Sequence, residues 1–183
     1  MYEYTEMDCD QTGEGCSLKG KVVVVNKASS LPGQLFFCME GDGAGENSAE
    51  RNVSLVSLSN GEGFRVHRRD VVGTLKPELL PDDAKLMLSQ IRPAGAKDLA
   101  GNEPEFSGYS FLPDGRYATG VWLCSPEEVM AYVEMQKPYQ HRVLICDRDD
   151  FSVMEVIDGK LIYPDEQALA SFQQEPDKGM AMT

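Results

Sequence analysis

The chain predicts an α+β protein built as two small units, the first a mainly antiparallel sheet with one helix, the second a β-β-α-β-β-β-α mixed sheet. Three observations carry this. Short β-type runs recur with turn residues between them, helix-start signals occur at Pro81 and Ser125, and charge changes abruptly along the chain. Of the net charge of −13, residues 1–16 carry five acidic and no basic side chains. Residues 17–93 carry ten basic and nine acidic, and residues 94–183 seven basic and sixteen acidic. The expected organisation is a disordered acidic tail over 1–17, a β-rich module with one helix over 18–93, a linker over 94–107, an α+β module over 108–175 and a frayed tail over 176–183.

Val22–Val25 is an unbroken aliphatic run of strand length, so it reads as a strand buried on both faces. Leu31-Pro32-Gly33 turns the chain into a second strand, Gln34–Met39. Asn52–Leu58 is the third, and its alternation breaks between Leu55 and Val56, which suggests a bulge there. Asn60-Gly61 marks a tight hairpin turn into Phe64–His67, and Val71–Leu75 adds a short strand. Pro81 suits a first helical position and Asp82 and Asp83 suit the positive end of the dipole. Ala84, Met87, Leu88 and Ile91 then form one apolar face, and Arg92-Pro93 ends the helix.

In the second unit, Tyr109–Leu112, the turn Pro113-Asp114-Gly115 and Arg116–Leu123 form a hairpin. Ser125-Pro126-Glu127-Glu128 is a capping box, opening a helix to about Lys137 with Val129, Tyr132, Val133 and Gln136 on one face. Strands follow at His141–Cys146, Phe151–Ile157 and, after Asp158-Gly159, Lys160–Tyr163. Pro164-Asp165 opens a last helix carrying Leu169 and Phe172. The helix between Arg116–Leu123 and His141–Cys146 has the length of a crossover between parallel strands. Val121, Val143, Ile145, Phe151 and Val153 are the expected sheet residues beneath it, and Trp122 is expected in the core.

Several functions are disfavoured by composition. No apolar run reaches the ~18–20 residues of a spanning helix, and an acidic N-terminus lacks the features of a secretory signal, so no membrane association and a cytoplasmic location are expected. An acidic chain lacks the clustered cations that nucleic acid requires. The five cysteines, an odd count, argue against a disulfide framework, and two histidines argue against a His-rich metal site. The protein is therefore expected to take a protein partner, and no cofactor.

Five constellations could carry chemistry. Arg65, His67, Arg68 and Arg69 form a local basic cluster, the candidate contact for an anion or a partner, with a solvated strand face as its plainer reading. Gly41-Asp42-Gly43-Ala44-Gly45 lacks the Lys-Ser/Thr of a phosphate loop and is followed by a strand. Asp147, Asp149 and Asp150 offer oxygen ligands for Mg²⁺ or Ca²⁺, without the spacing of a calcium loop and with Arg148 as a local counter-charge. Cys38 with His67, or Cys124 with His141, could form a nucleophile and base only if the fold joins them. The aromatic residues Tyr109, Phe111, Tyr117 and Trp122 fall in one hairpin, where they offer a binding face as the alternative to core packing.

Gln34–Ala44, Arg69-Asp70-Val71, Leu75–Pro81, Glu134–Lys137 and His141–Phe151 together resemble uncharacterised accessory domains encoded by conjugative elements of gut bacteria, domains that also occur inside their large polyvalent proteins. The resemblance spans most of residues 20–165 and implies a context, an accessory protein of a mobile element, without an activity. The expected function is a non-catalytic interaction role. Two alternatives stand beside it: an acidic DNA-mimic that inhibits a defence protein, and a metal-dependent enzyme using Asp147–Asp150.

Overall fold

The computed structural model describes residues 2–11, 17–41, 43, 51–92, 103–117 and 120–174. The chain divides into two compact units, Met1–Ala94 and Gly95–Thr183, each with its own antiparallel sheet. Most of the expected linker lies outside the described residues, but its last two positions, Phe106 and Ser107, already belong to a strand.

The first unit holds β1 (Cys9–Gln11), β2 (Val22–Val25), β3 (Leu35–Glu40), β4 (Asn52–Ser57), β5 (Gly63–His67), β6 (Val71–Leu75) and the helix α1 (Asp82–Leu88). The spatial order is β1-β6-β2-β3-β4-β5. β5 and β6 are consecutive, yet β2, β3 and β4 lie between them. Four strand spacings measure about 19 Å in a flat sheet, whereas the link from His67 to Val71 reaches about 14 Å at most. The sheet must therefore curl into an open barrel. A short 3-10 helix, Arg68–Asp70, makes the link. Its ends are tied by Arg68 N–H donating to the Arg51 carbonyl (2.7 Å) and Asn26 N–H donating to the Asp70 carbonyl (2.8 Å).

The curl gathers Leu18, Val23, Val25, Phe36, Cys38, Val53, Leu55, Val66 and Val71 into one interior, with Leu31 and Phe64 against it. Burying these side chains stabilises the unit by about 25 cal/mol per Å² of apolar surface removed from water. All four valines of β2 are fully buried, as an inner strand requires. β4 keeps strict alternation, so Val56 faces outward and the bulge expected between Leu55 and Val56 is absent. The irregularity lies instead on its partner β3, between Cys38 and Glu40. The β4–β5 turn is also longer than a two-residue hairpin: Ser57 N–H bonds the Glu62 carbonyl, enclosing four residues anchored by buried Leu58. Pro81 has extended ψ (156°) and is the cap of α1, with Asp82 the first helical residue.

Residues 2–11 correct the expectation of a disordered tail over 1–17; residues 12–16 lie outside the described part. β1 pairs with β6, and the chain before it is held by long-range bonds that local composition does not encode. The Gln34 side chain grips the Tyr4 backbone on both sides: Tyr4 N–H donates to Gln34 Oε1 and Gln34 Nε2 donates to the Tyr4 carbonyl, both at 3.0 Å. Lys76 Nζ donates to the Met7 carbonyl at 2.9 Å, and Lys27 pairs with Glu3. Asp8 accepts from Thr5 N–H (2.8 Å) and the Tyr2 hydroxyl (2.9 Å).

The second unit holds β7 (Phe106–Phe111), β8 (Val121–Leu123), α2 (Pro126–Gln136), β9 (Arg142–Asp147), β10 (Ser152–Ile157), β11 (Lys160–Tyr163) and α3 (Glu166–Gln174). Its sheet order is β11-β10-β9-β7-β8. β8 and β9 do run parallel across α2, but β7 lies between them and pairs antiparallel with each. The sheet is therefore wholly antiparallel, where a mixed one was expected. Ser125 Oγ accepts from Glu128 N–H (3.2 Å), and the Glu128 carboxylate reaches back to Cys124 N–H (2.8 Å), which starts α2. Asp158 and Gly159 both have positive φ, which suits the two-residue turn into β11.

α2 covers one face of this sheet. Its Tyr132 ring lies over Gly108 of β7, where a Cβ would come within 2.6 Å of the ring, and the Tyr132 hydroxyl meets Ser110 Oγ at 2.9 Å. Burial raises the Tyr132 pKa well above the usual phenol value. Val121, Leu123, Val143, Ile145, Met154 and Val156 complete the buried side. Phe151, expected there, is 69% exposed, and Val153 is only half-buried. The register slips between Ser152 and Met154, which reverses inward parity along β10 and brings Met154 opposite Ile145.

Candidate interaction surface

Residues alternate across a strand, so β7 sends Gly108 and Ser110 toward α2 and Ser107, Tyr109 and Phe111 to the opposite face. On β8, Trp122 lies across from Ser107 and Gly120 precedes Val121, which lies across from Gly108. Gly120 clears the space Tyr109 fills: a Cβ there would meet the Tyr109 ring at 2.7 Å. Tyr117 bridges to Phe111 and stacks obliquely on it (5.3 Å between centroids), with Tyr109 at 6.4 Å. On β9, Arg142 lies across from Phe111; its guanidinium sits 5.0 Å from the Phe111 centroid and pairs with Glu155 of β10.

The face so formed is aromatic and open. Trp122 is 62% exposed and Tyr117 59%. This overturns the expectation that Trp122 packs in the core. Val121 and Leu123 flank it and point inward, so strand parity sends the indole outward. Ser107 adds an anomaly to the same face. It is 2% exposed, its Oγ has no hydrogen-bond partner, and its neighbours across the strands are Trp122 and Cys146. Burial is the main cause that raises the Cys146 thiol pKa.

The basic cluster of the first unit does not form one surface. Arg65 is exposed on the edge strand β5, and Arg69 is exposed on the turn after it. The half-buried His67 accepts the Arg69 N–H on Nδ1 at 3.2 Å, which caps the turn. Arg68 is turned inward, 5% exposed, donating to the Val71 carbonyl at 3.0 Å, with its aliphatic stem against Gly43. It is therefore withdrawn from any contact surface. Gly41 and Gly43 both have positive φ; Asp42, Ala44 and Gly45 lie outside the described residues.

Asp147, Asp149 and Asp150 make a turn. Asp147 Oδ1 accepts both Asp149 N–H and Phe151 N–H at 3.0 Å, Asp150 adopts φ 63°, and Arg148 reaches away to Glu103. Among the described residues no three His, Cys, Asp or Glu side chains converge to hold a metal ion. Neither Cys–His pairing forms. Cys38 lies inside the barrel, whereas His67 alternates with inward Val66 and so faces outward. Cys124 follows Leu123, at the Phe106 end of β7, and His141 N–H bonds the Phe111 carbonyl at the other end. Five residue steps separate those ends, about 17 Å. His141 instead pairs its Nδ1 with Asp158 at 2.7 Å.

Among the described residues no helix is long and apolar enough to cross a membrane. No protein-family model, curated protein or solved structure matches the chain.

Proposed function

We propose that this chain is a non-catalytic interaction protein that binds a protein partner through the open aromatic face of its second sheet. The observation that carries the reading is the 62% exposure of Trp122 beside Tyr117, on a sheet whose other face is closed by α2. Exposed aromatic clusters lose water readily and anchor interfaces. The resemblance to accessory domains of conjugative elements supplies the context, a mobile-element accessory protein working inside a bacterial cell. Against the DNA-mimic alternative, the acidic groups of the second unit are spread over turns, a helix and a strand, and Glu103, Asp114, Glu134 and Glu155 each pair with a Lys or Arg.

The test compares the full chain with a Trp122→Ser, Tyr117→Ser variant as bait in a bacterial lysate. A partner retained by the wild type and lost by the variant supports the reading. Recovery of the same proteins by both baits, or of none together with turnover of a metabolite in a broad enzyme screen, overturns it.

A further inference from the structure

We infer that the partner enters as an extended segment that pairs with the outer edge of β8, adding a sixth strand to the second sheet and setting an uncharged, β-branched side chain against the Trp122 indole. The inference rests on the reading of this face as a docking surface and names how the partner is held.

β8 is the last strand of the sheet, and among the described residues no strand pairs with its outer side. Its ladder to β7 fixes which backbone groups are left over. Phe106 is opposite Leu123, Ser107 opposite Trp122 and Gly108 opposite Val121. The Leu123 carbonyl accepts from Glu105 N–H at 3.0 Å, so it points toward the β7 chain. Backbone groups switch sides from one residue to the next along a strand, so the N–H and C=O of Trp122 point away from β7, toward the edge. One donor and one acceptor on the same residue are what an antiparallel neighbour engages as a closed pair. The indole of that residue is exposed on the open face. Trp122 thus offers backbone and side chain together.

The two edges of the sheet differ. β11, at the other end of the strand order, carries the features that keep an edge from pairing. Lys160 opens it, Ile162 is an extra residue bulged against β10, and Pro164 follows without an N–H. β8 reads Val121-Trp122-Leu123, with no charge, no proline and no extra residue of its own. A bare edge is where an extended peptide adds by main-chain bonds.

Pairing selects among occupants. Across a strand pair, a β-branched residue opposite an aromatic one is a favourable combination. A proline-rich segment lacks the N–H that the Trp122 carbonyl would accept. A second copy, joined β8 to β8, would bring together two units that each carry sixteen acidic and seven basic side chains, and like charge opposes that approach.

The probe is a blocked heptapeptide alternating Thr and Val, N-methylated at each Val so that only one of its edges can pair. Its counterpart is N-methylated at every residue, which keeps the side chains and removes the donors. Each is titrated to millimolar concentration into the isotope-labelled full chain and followed by NMR. With the first probe, the Trp122 backbone amide should shift and its hydrogen exchange should slow. Emission from Trp122, the sole tryptophan, should change saturably. The fully methylated probe should bind about tenfold more weakly. Trp122→Ala keeps the edge and loses the indole, so it should weaken the first probe about threefold while the amide at 122 still slows. No change at the Trp122 amide with the first probe, or equal affinity of the two probes, overturns the inference. Equal affinity leaves the docking face standing, because side chains alone are then recognised. A dimer of the free chain that the first probe dissociates, seen by sedimentation, assigns the edge to a second copy and overturns it too. The docking face itself falls only if the Trp122→Ser, Tyr117→Ser bait loses no partner.

Discussion

Tyr132 and Gly108 face each other at a distance that admits no side chain on the strand: a Cβ at 108 would lie 2.6 Å from the tyrosine ring. The ring takes the room the glycine leaves, and its hydroxyl then reaches Ser110 Oγ two residues along β7. Gly108→Ala should cost about 1–3 kcal/mol through overpacking. Tyr132→Phe keeps the ring but strands the buried Ser110 hydroxyl, at about 1–2 kcal/mol. Urea unfolding of the two variants measures both. A neutral Gly108→Ala would show that α2 does not seat on β7 in this way.

Gln34 replaces a strand neighbour for Tyr4, bonding its N–H and its carbonyl at once. Gln34→Ala should speed amide hydrogen exchange across residues 2–11 while leaving β3 and β4 protected. Unchanged exchange near Tyr4 would mean that β1 pairing alone holds the segment.

Asp8 is held below the usual carboxylate range, first by the Thr5 N–H and then by the Tyr2 hydroxyl. A depressed folded pKa contributes stability that is present above the unfolded value, about pH 4, and is lost as pH falls through the folded one. An NMR titration of the Thr5 amide should therefore show its midpoint below that value, and Asp8→Asn should abolish the transition. A midpoint at or above the ordinary Asp value would sink the assignment.

Cys38 is fully buried and Cys146 is 7% exposed, with burial raising the Cys146 thiol pKa. Neither should react with a thiol reagent in the native protein at neutral pH, and both should react in urea, as mass mapping can establish. Rapid native labelling of Cys38 would contradict its place in the barrel interior.

Much of this was legible because it is local. Val22–Val25 reads as a doubly buried strand without help from other residues, and Ser125-Pro126-Glu127-Glu128 carries its own cap. What escaped depends on distant partners. The segment leading into β1 is held by Gln34 and by Lys76 at the β6 end, partners that its acidic composition does not encode. The slip at Val153 reverses parity along β10 and moved Phe151 from expected core to solvent. Trp122 stands out in the sequence as the one indole of the hairpin, but its side of the sheet follows from which face α2 covers. Val121 and Leu123 beside it held the clue, since two aliphatic neighbours on a short strand leave the residue between them pointing away. The basic cluster is split for a similar reason: Arg68 is the first residue of the turn that closes the barrel, and that turn draws it inward.

β2 lies between β3, which follows it closely, and β6, which is made only after β4 and β5. During synthesis the four valines therefore emerge early and meet one of their two strand neighbours late. At about 5–20 residues per second the wait is on the order of seconds. For that interval a short, uncharged, strongly β-prone stretch has an unpaired edge, the kind of segment that sticks to other nascent chains. The protein's yield in cells should thus depend on how fast translation carries it past Leu75, and on whether a chaperone shields Val22–Val25 until then.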